Sequence, residues 1–188
     1  MLSPIKTMFL HFPLRAYSTV IILALVSWYA FRRIRQGCRA GTIDKDRGTT
    51  SWLLVDYVLV LLFLTVLGRR SLDYDRYNFE VLYSYRDVLT TGDAGMAIQI
   101  AVNIAAFIPV GALSSLIVKR GRFPKGLLLG VVLSLCIEIL QFLLRCGTAE
   151  IDDLISNSLG TLIGCLIAGI VIIIADRHRK LNKKSAES

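Results

Sequence analysis

Apolar residues in this chain fall in long unbroken runs parted by short polar stretches, and no strand-like alternation competes with them. Five runs stand out, over 16–31, 51–68, 96–118, 126–144 and 153–175. Runs of this length predict α-helices that cross a hydrocarbon layer roughly 30 Å thick. The expected fold is all-α, a polytopic membrane helix bundle of about five transmembrane helices. Its organisation reads as a first helix with a basic loop over 1–50, a transmembrane domain over 51–176 and a basic tail over 177–188.

The polar punctuation supports these bounds. The first run is closed by Arg32, Arg33 and Arg35. A secretory signal would carry its charge before the run and a small-residue cleavage site after it, so a retained helix is the better reading. Pro124 suits the first turn of the fourth helix, where a missing N–H costs nothing. Asp152 or Asp153 starts the fifth, where a carboxylate caps free N–H groups. Asp56 is read as lying near one end of the second helix, at the interface or a cap, outside any site.

Composition narrows the function classes. With 54% hydrophobic residues in 188, no length remains for a soluble domain. The net charge of +8 does not point to nucleic acid, because Lys and Arg sit in the connections between runs. Fifteen of them fall in 32–50, 119–125 and the tail, against seven in the N-terminus, 69–95 and 145–151. By the positive-inside rule the N-terminus is expected outside and the C-terminus in the cytoplasm. The cysteines (Cys38, Cys136, Cys146, Cys165) form no CxxC pair and have no histidine at ligand spacing. No disulfide framework, metal site or cofactor is read from them. His11 and His178 lie near the chain ends, as solvated histidines do.

What needs explaining is the polar content of the apolar helices. The stretch 138–164 gathers Glu138, Gln141, Arg145, Glu150, Asp152, Asp153 and Asn157 at or inside the edges of two of them. Polar groups there are expensive and need partners or a purpose. At 1.5 Å per residue, Glu138 lies about 9 Å below the outer end of its helix, and Asn103, from the third, about 10 Å in. Glu138, Gln141 and Arg145 share one helix face by their spacing, as do Asp153, Asn157, Gly160 and Gly164. The glycine pairs Gly160/Gly164 and Gly126/Gly130 allow close backbone approach. The bland alternatives are concrete. Gln141 and Asn157 taken singly read as interhelical hydrogen bonds, and Asn103 as a partner for carbonyls freed by Pro109. Glu138 is harder to set aside, because a carboxylate at that depth is protonated, paired or wet.

At these residues the chain resembles the VanZ-like family of bacterial membrane proteins. The matching elements are Asn103-Ile-Ala-Ala-Phe107-Ile-Pro109-Val-Gly111, Ile137-Glu138-Ile-Leu-Gln141, Arg145, Ile151-Asp152-Asp153-Leu and Asn157-Ser-Leu-Gly160-Thr-Leu-Ile-Gly164. They cover roughly 53–175. Arg76-Tyr-Asn78-Phe stands for a further element of the family, without its usual proline. The family's namesake is associated with resistance to teicoplanin, so the resemblance implies a setting, the bacterial envelope, and no reaction.

Three functions follow as expectations. The first is a binding or envelope-modulating protein with no catalytic residue, presenting Asn103, Glu138, Gln141, Arg145, Asp152, Asp153 and Asn157 to a ligand in the outer leaflet. Membrane lipids, a lipid-linked cell-wall precursor or a lipoglycopeptide are its expected partners, and Pro109, Gly111, Gly160 and Gly164 its packing residues. The second is an intramembrane enzyme in which Glu138 and Asp153 divide acid and base roles. The third is a small proton-coupled transporter.

Overall fold

The computed structural model describes residues 14–69, 77–118 and 121–186. His11, Arg76, Lys119 and Arg120 lie outside them. Helices α1 (Leu14–Arg39), α2 (Lys45–Leu62), α3 (Tyr83–Thr91), α4 (Ala94–Ile117), α5 (Arg122–Leu143) and α6 (Ile151–Ala186) make up nearly all of the ordered backbone, and a π turn (Phe63–Leu67) extends α2. Two short strands, β1 (Tyr77–Asn78) and β2 (Ala149–Glu150), pair in parallel, with Tyr77 opposite Ala149.

The all-α membrane bundle read from the sequence is what the chain forms. Among the described residues four helical segments are long and apolar enough to cross a membrane, namely Lys45–Leu67, Ala94–Ile117, Arg122–Leu144 and Ile151–Asn182. The first expected span is the 26-residue helix α1, which is not among the four. Its last third carries Arg32, Arg33, Arg35 and Arg39, which follow the apolar run.

Three bounds differ from expectation. Helix α2 begins six residues earlier than its apolar run. The hydroxyls of Thr49 and Thr50 donate to the carbonyls of Lys45 and Asp46, so the polar lead-in is satisfied within the helix. Asp56 is therefore well inside α2, about 16 Å from its start. It caps nothing and accepts from Ser27 Oγ of α1 at 2.7 Å. Helix α6 runs on through the basic tail to Ala186, since Arg, Lys and Leu are good helix formers. And the connection before α4 contains α3, a helix too short and polar to show as an apolar run.

The chain forms two compact units, one of Met1–Arg76 with Leu140–Thr148, the other of Tyr77–Ile139 with Ala149–Ser188. The first holds α1, α2 and the last turn of α5. The second holds α3, α4, α6 and the rest of α5.

In the second unit small polar residues lie in the core beside Phe107, Val110 and Ile137, while many large apolar side chains lie outside. Ser134, Ser156 and Thr161 are fully buried, whereas Ile98, Leu128 and Ile173 are more than 60% exposed. That inversion suits a solvent of lipid tails, in which helices associate by close packing and hydrogen bonds. A Cβ on Gly160 would strike the Ile104 carbonyl, one on Gly164 the Ile108 carbonyl, and one on Gly111 the Thr161 carbonyl. Helices α4 and α6 thus meet backbone to backbone on both sides of Pro109. A Cβ on Gly130 of α5 would strike the Thr161 side chain, which brings three helices together at Thr161.

Candidate functional site

The polar residues of the second unit gather where α6 begins. Asp93 starts α4 as its cap, accepting from Gly95 and Met96 N–H at 2.7 and 3.2 Å. This sets the register that points Gln99 and Asn103, four residues apart, along one face. Both reach Asp153 Oδ1, Asn103 Nδ2 at 2.7 Å and Gln99 Nε2 at 3.4 Å. Asp153 and Asn103 are half-buried and Gln99 is exposed, so this triad faces outward from the helices.

Asp152 points the other way and is 2% exposed. Its two oxygens accept from Leu82 N–H at 2.6 Å and Ser84 N–H at 2.7 Å. Helix α3 has no side-chain cap of its own, and Leu82 before it sits in the left-handed region at φ 62°. Asp152 satisfies the open N–H groups of α3 from seventy residues away. This is an anchoring role, where the sequence had suggested a ligand contact or a cap for its own helix. Beside it, Ser156 Oγ donates to the Asp152 carbonyl and lies 2.7 Å from Tyr85 Oη.

Glu138 is buried on α5, and its Oε2 accepts from Glu150 N–H at 3.1 Å. Glu150 ends β2, and its half-buried carboxyl is pushed up to about 6 by burial, with the charges of Asp153 and Asp152 adding to the shift. Asn157, also buried, donates from Nδ2 to Ser134 Oγ at 2.9 Å, an interhelical bond of the bland kind. Among the described residues no three His, Cys, Asp or Glu groups are placed to hold a metal ion.

Gln141 and Arg145 belong to the first unit. Gln141 is 5% exposed and donates from Nε2 to the Thr65 carbonyl at 3.1 Å. Thr65 lies in the π turn that ends this helical segment, where last-turn carbonyls are open to outside donors. Gln141 Oε1 is buried without a hydrogen-bond partner among the described residues. Arg145 closes α5. The Cys146 N–H bonds the Gln141 carbonyl and the Arg145 N–H the Phe142 carbonyl, a Schellman ending. Arg145 takes the left-handed position at φ 52°, where glycine is the usual occupant, and its side chain is exposed. Arg69 comes close as well, because a Cβ on Gly147 would lie 3.2 Å from its Nη1 and 3.3 Å from the Gln141 amide carbon. The buried Cys146 thiol is pushed up by burial, and the nearby Arg69 charge works against that.

The structure thus joins Asn103 to Asp153, Glu138 to the Glu150 backbone, Asn157 to Ser134 and Gln141 to Thr65. Sequence reasoning passed over Gln99, Ser134, Glu150 and Arg69 as site residues. For the first two a signal existed: Gln99 precedes Asn103, and Ser134 precedes Glu138, by one helical repeat of four.

A model of the VanZ/LLP1 family matches residues 49–173. Protein VanZ of Enterococcus faecium is 35% identical over 68 residues, a stretch that makes up 36% of this chain and 42% of that protein. The chain therefore aligns with less than half the length of that curated relative. No solved structure matches.

Proposed function

Because the chain belongs to the VanZ/LLP1 family of membrane proteins, we propose that it binds a lipid-linked or lipoglycopeptide ligand at the outer leaflet of the bacterial plasma membrane and so contributes to tolerance of teicoplanin-type antibiotics. The excess of Lys and Arg in 32–50, 119–125 and the tail supports a multi-pass arrangement that turns the start of α6 outward.

The observation that carries the reading is the Gln99–Asn103–Asp153 triad. A carboxylate held in place by two amides, at the mouth of apolar helices and half-exposed, is prepared to accept hydrogen bonds from hydroxyl or amide donors. Sugar-bearing and peptide-bearing head groups carry many of these. Glu150 adds a second acceptor, and Glu138 fixes Glu150 through its backbone. Asp152 and Asn157 shape the surroundings without reaching the ligand. Arg145 is assigned a contact of its own in the first unit, its planar guanidinium suited to phosphate or carboxylate. A non-glycine residue in the left-handed region costs about 1–2 kcal/mol, and at Arg145 that cost keeps a guanidinium at the exposed end of α5.

The test is teicoplanin susceptibility of a sensitive Gram-positive host expressing the parent, Asp153→Asn, Glu138→Gln or Arg145→Gly at matched membrane levels. Protection by the parent that disappears in Asp153→Asn and Arg145→Gly is expected, with Arg145→Gly fully folded because glycine suits that turn. A parent that protects no better than empty vector overturns the assignment.

A second reading, acid–base chemistry on a lipid-linked substrate, has one observation in its favour. Glu150 keeps its proton to about pH 6 while bordering Asp153 and Asp152, and neighbouring carboxyls of unequal acidity can divide acid and base roles. Release of a modified lipid by the purified protein would establish it.

A further inference from the structure

Helices α1 and α2 enclose an apolar groove of about 620 Å³, walled by Val20, Leu23, Trp28, Phe31, Trp52 and Phe63. A second cavity of about 510 Å³ shares Phe31 and Trp52 with it and adds Arg35, Arg39 and Lys45. The shared rings meet edge to face at 5.4 Å, and the Arg35 guanidinium lies 5.9 Å above the Phe31 ring. One continuous lining therefore changes from hydrocarbon to cationic across two aromatic side chains.

Among the described residues the three cations form no ion pair. Among the described residues the ion pair present is Arg86 with Glu80, far along the chain, and no carboxylate lies within ion-pair distance of Arg35, Arg39 or Lys45. The acidic group that does line the groove, Asp56, is occupied by the Ser27 hydroxyl, to which Trp52 Nε1 also donates at 3.4 Å. The geometry at the basic end is built. Gly48 is buried, and a Cβ there would strike Cys38 Sγ and come within 3.1 Å of Ile34 Cγ2. Its missing side chain lets the first turn of α2 close on the last turns of α1, which brings Lys45 to Arg35 and Arg39.

We propose that this groove binds an anionic phospholipid, its phosphate held by Arg35, Arg39 and Lys45 and one acyl chain lying along Phe31, Trp52 and Trp28 toward Leu23. Guanidinium groups match phosphate oxygens in pairs, and basic pockets between membrane helices take anionic head groups. Each cavity falls within the usual size of a ligand pocket, about 300–1,000 Å³. A cationic amphiphile is excluded by the three like charges. Most of the basic cavity precedes residue 49, where the family match begins, so this site is independent of the function proposed above.

The test uses the full-length protein in detergent, with lipid binding read by native mass spectrometry. Phosphatidylglycerol and phosphatidylcholine of identical acyl chains are compared on the parent, on an Arg35→Gln/Arg39→Gln/Lys45→Gln variant, and on a charge-matched Arg33→Gln/Arg177→Gln/Lys180→Gln control. The parent is expected to hold phosphatidylglycerol about tenfold more tightly or better. The first variant loses that preference and the control retains it. A parent without preference, a groove variant that keeps it, or a control that loses it equally overturns the proposal. Complete displacement by millimolar glycerol phosphate would overturn the lipid assignment in favour of a free-phosphate site. Circular dichroism guards against misfolding. If the triple variant is unfolded, Arg39→Gln and Lys45→Gln are measured singly, each expected to lose part of the preference, and no loss in either overturns the site.

Discussion

At Glu150, burial and two neighbouring carboxylates act in the same direction and hold the proton to about pH 6, against an ordinary value of 4.5 in the unfolded chain. Between those values the folded protein binds more protons than the unfolded one, so stability falls as pH rises through that window. Thermal melts in detergent across it should show the parent losing ground to Glu150→Gln, which cannot titrate. Parallel curves would mean that Glu150 does not carry the effect. Single residues are partly legible in the sequence. Apolar surroundings flag Glu138 and Asn157, and helical spacing places them on defined faces. What a residue bonds to is not legible, because Gln141 meets Thr65 through a π turn that no composition announces. Nor does sequence reveal that Asp152 is tied up while its neighbour Asp153 is half-exposed; the two are distinguished only by the direction each takes from α6.

Helices α4 and α6 pack through glycine because a lipid solvent provides no hydrophobic drive for pushing larger side chains together. Gly160→Leu should wedge α6 off the Ile104 carbonyl and destabilise the bundle by about 1–3 kcal/mol or more. Gly169→Ala on the same helix is the contrast. A Cβ there meets nothing within 4 Å, and alanine is the better helix former by roughly 1 kcal/mol, so stability is unchanged or raised. Equal losses in the two variants would refute the packing account. At this scale the sequence is most informative. Run length locates the long helices, and the glycine spacing marks α6 as a packing surface. Helix α3 escapes notice because it has neither an apolar run nor a cap of its own.

Across the molecule, long-range hydrogen bonds hold in place a short polar helix that does not hold by itself. Asp152→Ala should leave the Leu82 and Ser84 N–H groups without acceptors, at a cost of about 1–3 kcal/mol each where they stay buried. Hydrogen exchange across 83–91 should accelerate while the interior of α4 stays protected; unchanged exchange in α3 would show that other contacts hold it. Bundle class and membrane character are legible in the sequence, since both follow from run length. The division into two compact units is not, since it depends on where α5 changes partners at Leu140. The Asp152 bonds also bear on the order of assembly. A chain emerges from the ribosome N-terminus first, so α3 is made some sixty residues before the carboxylate that completes its first turn. Until α6 is made, α3 is a nine-residue segment with no cap, well below the length at which a helix holds by itself. Its formation thus reports that α6 has arrived, and a chain stopped at residue 148 would carry α3 as an unlatched loop.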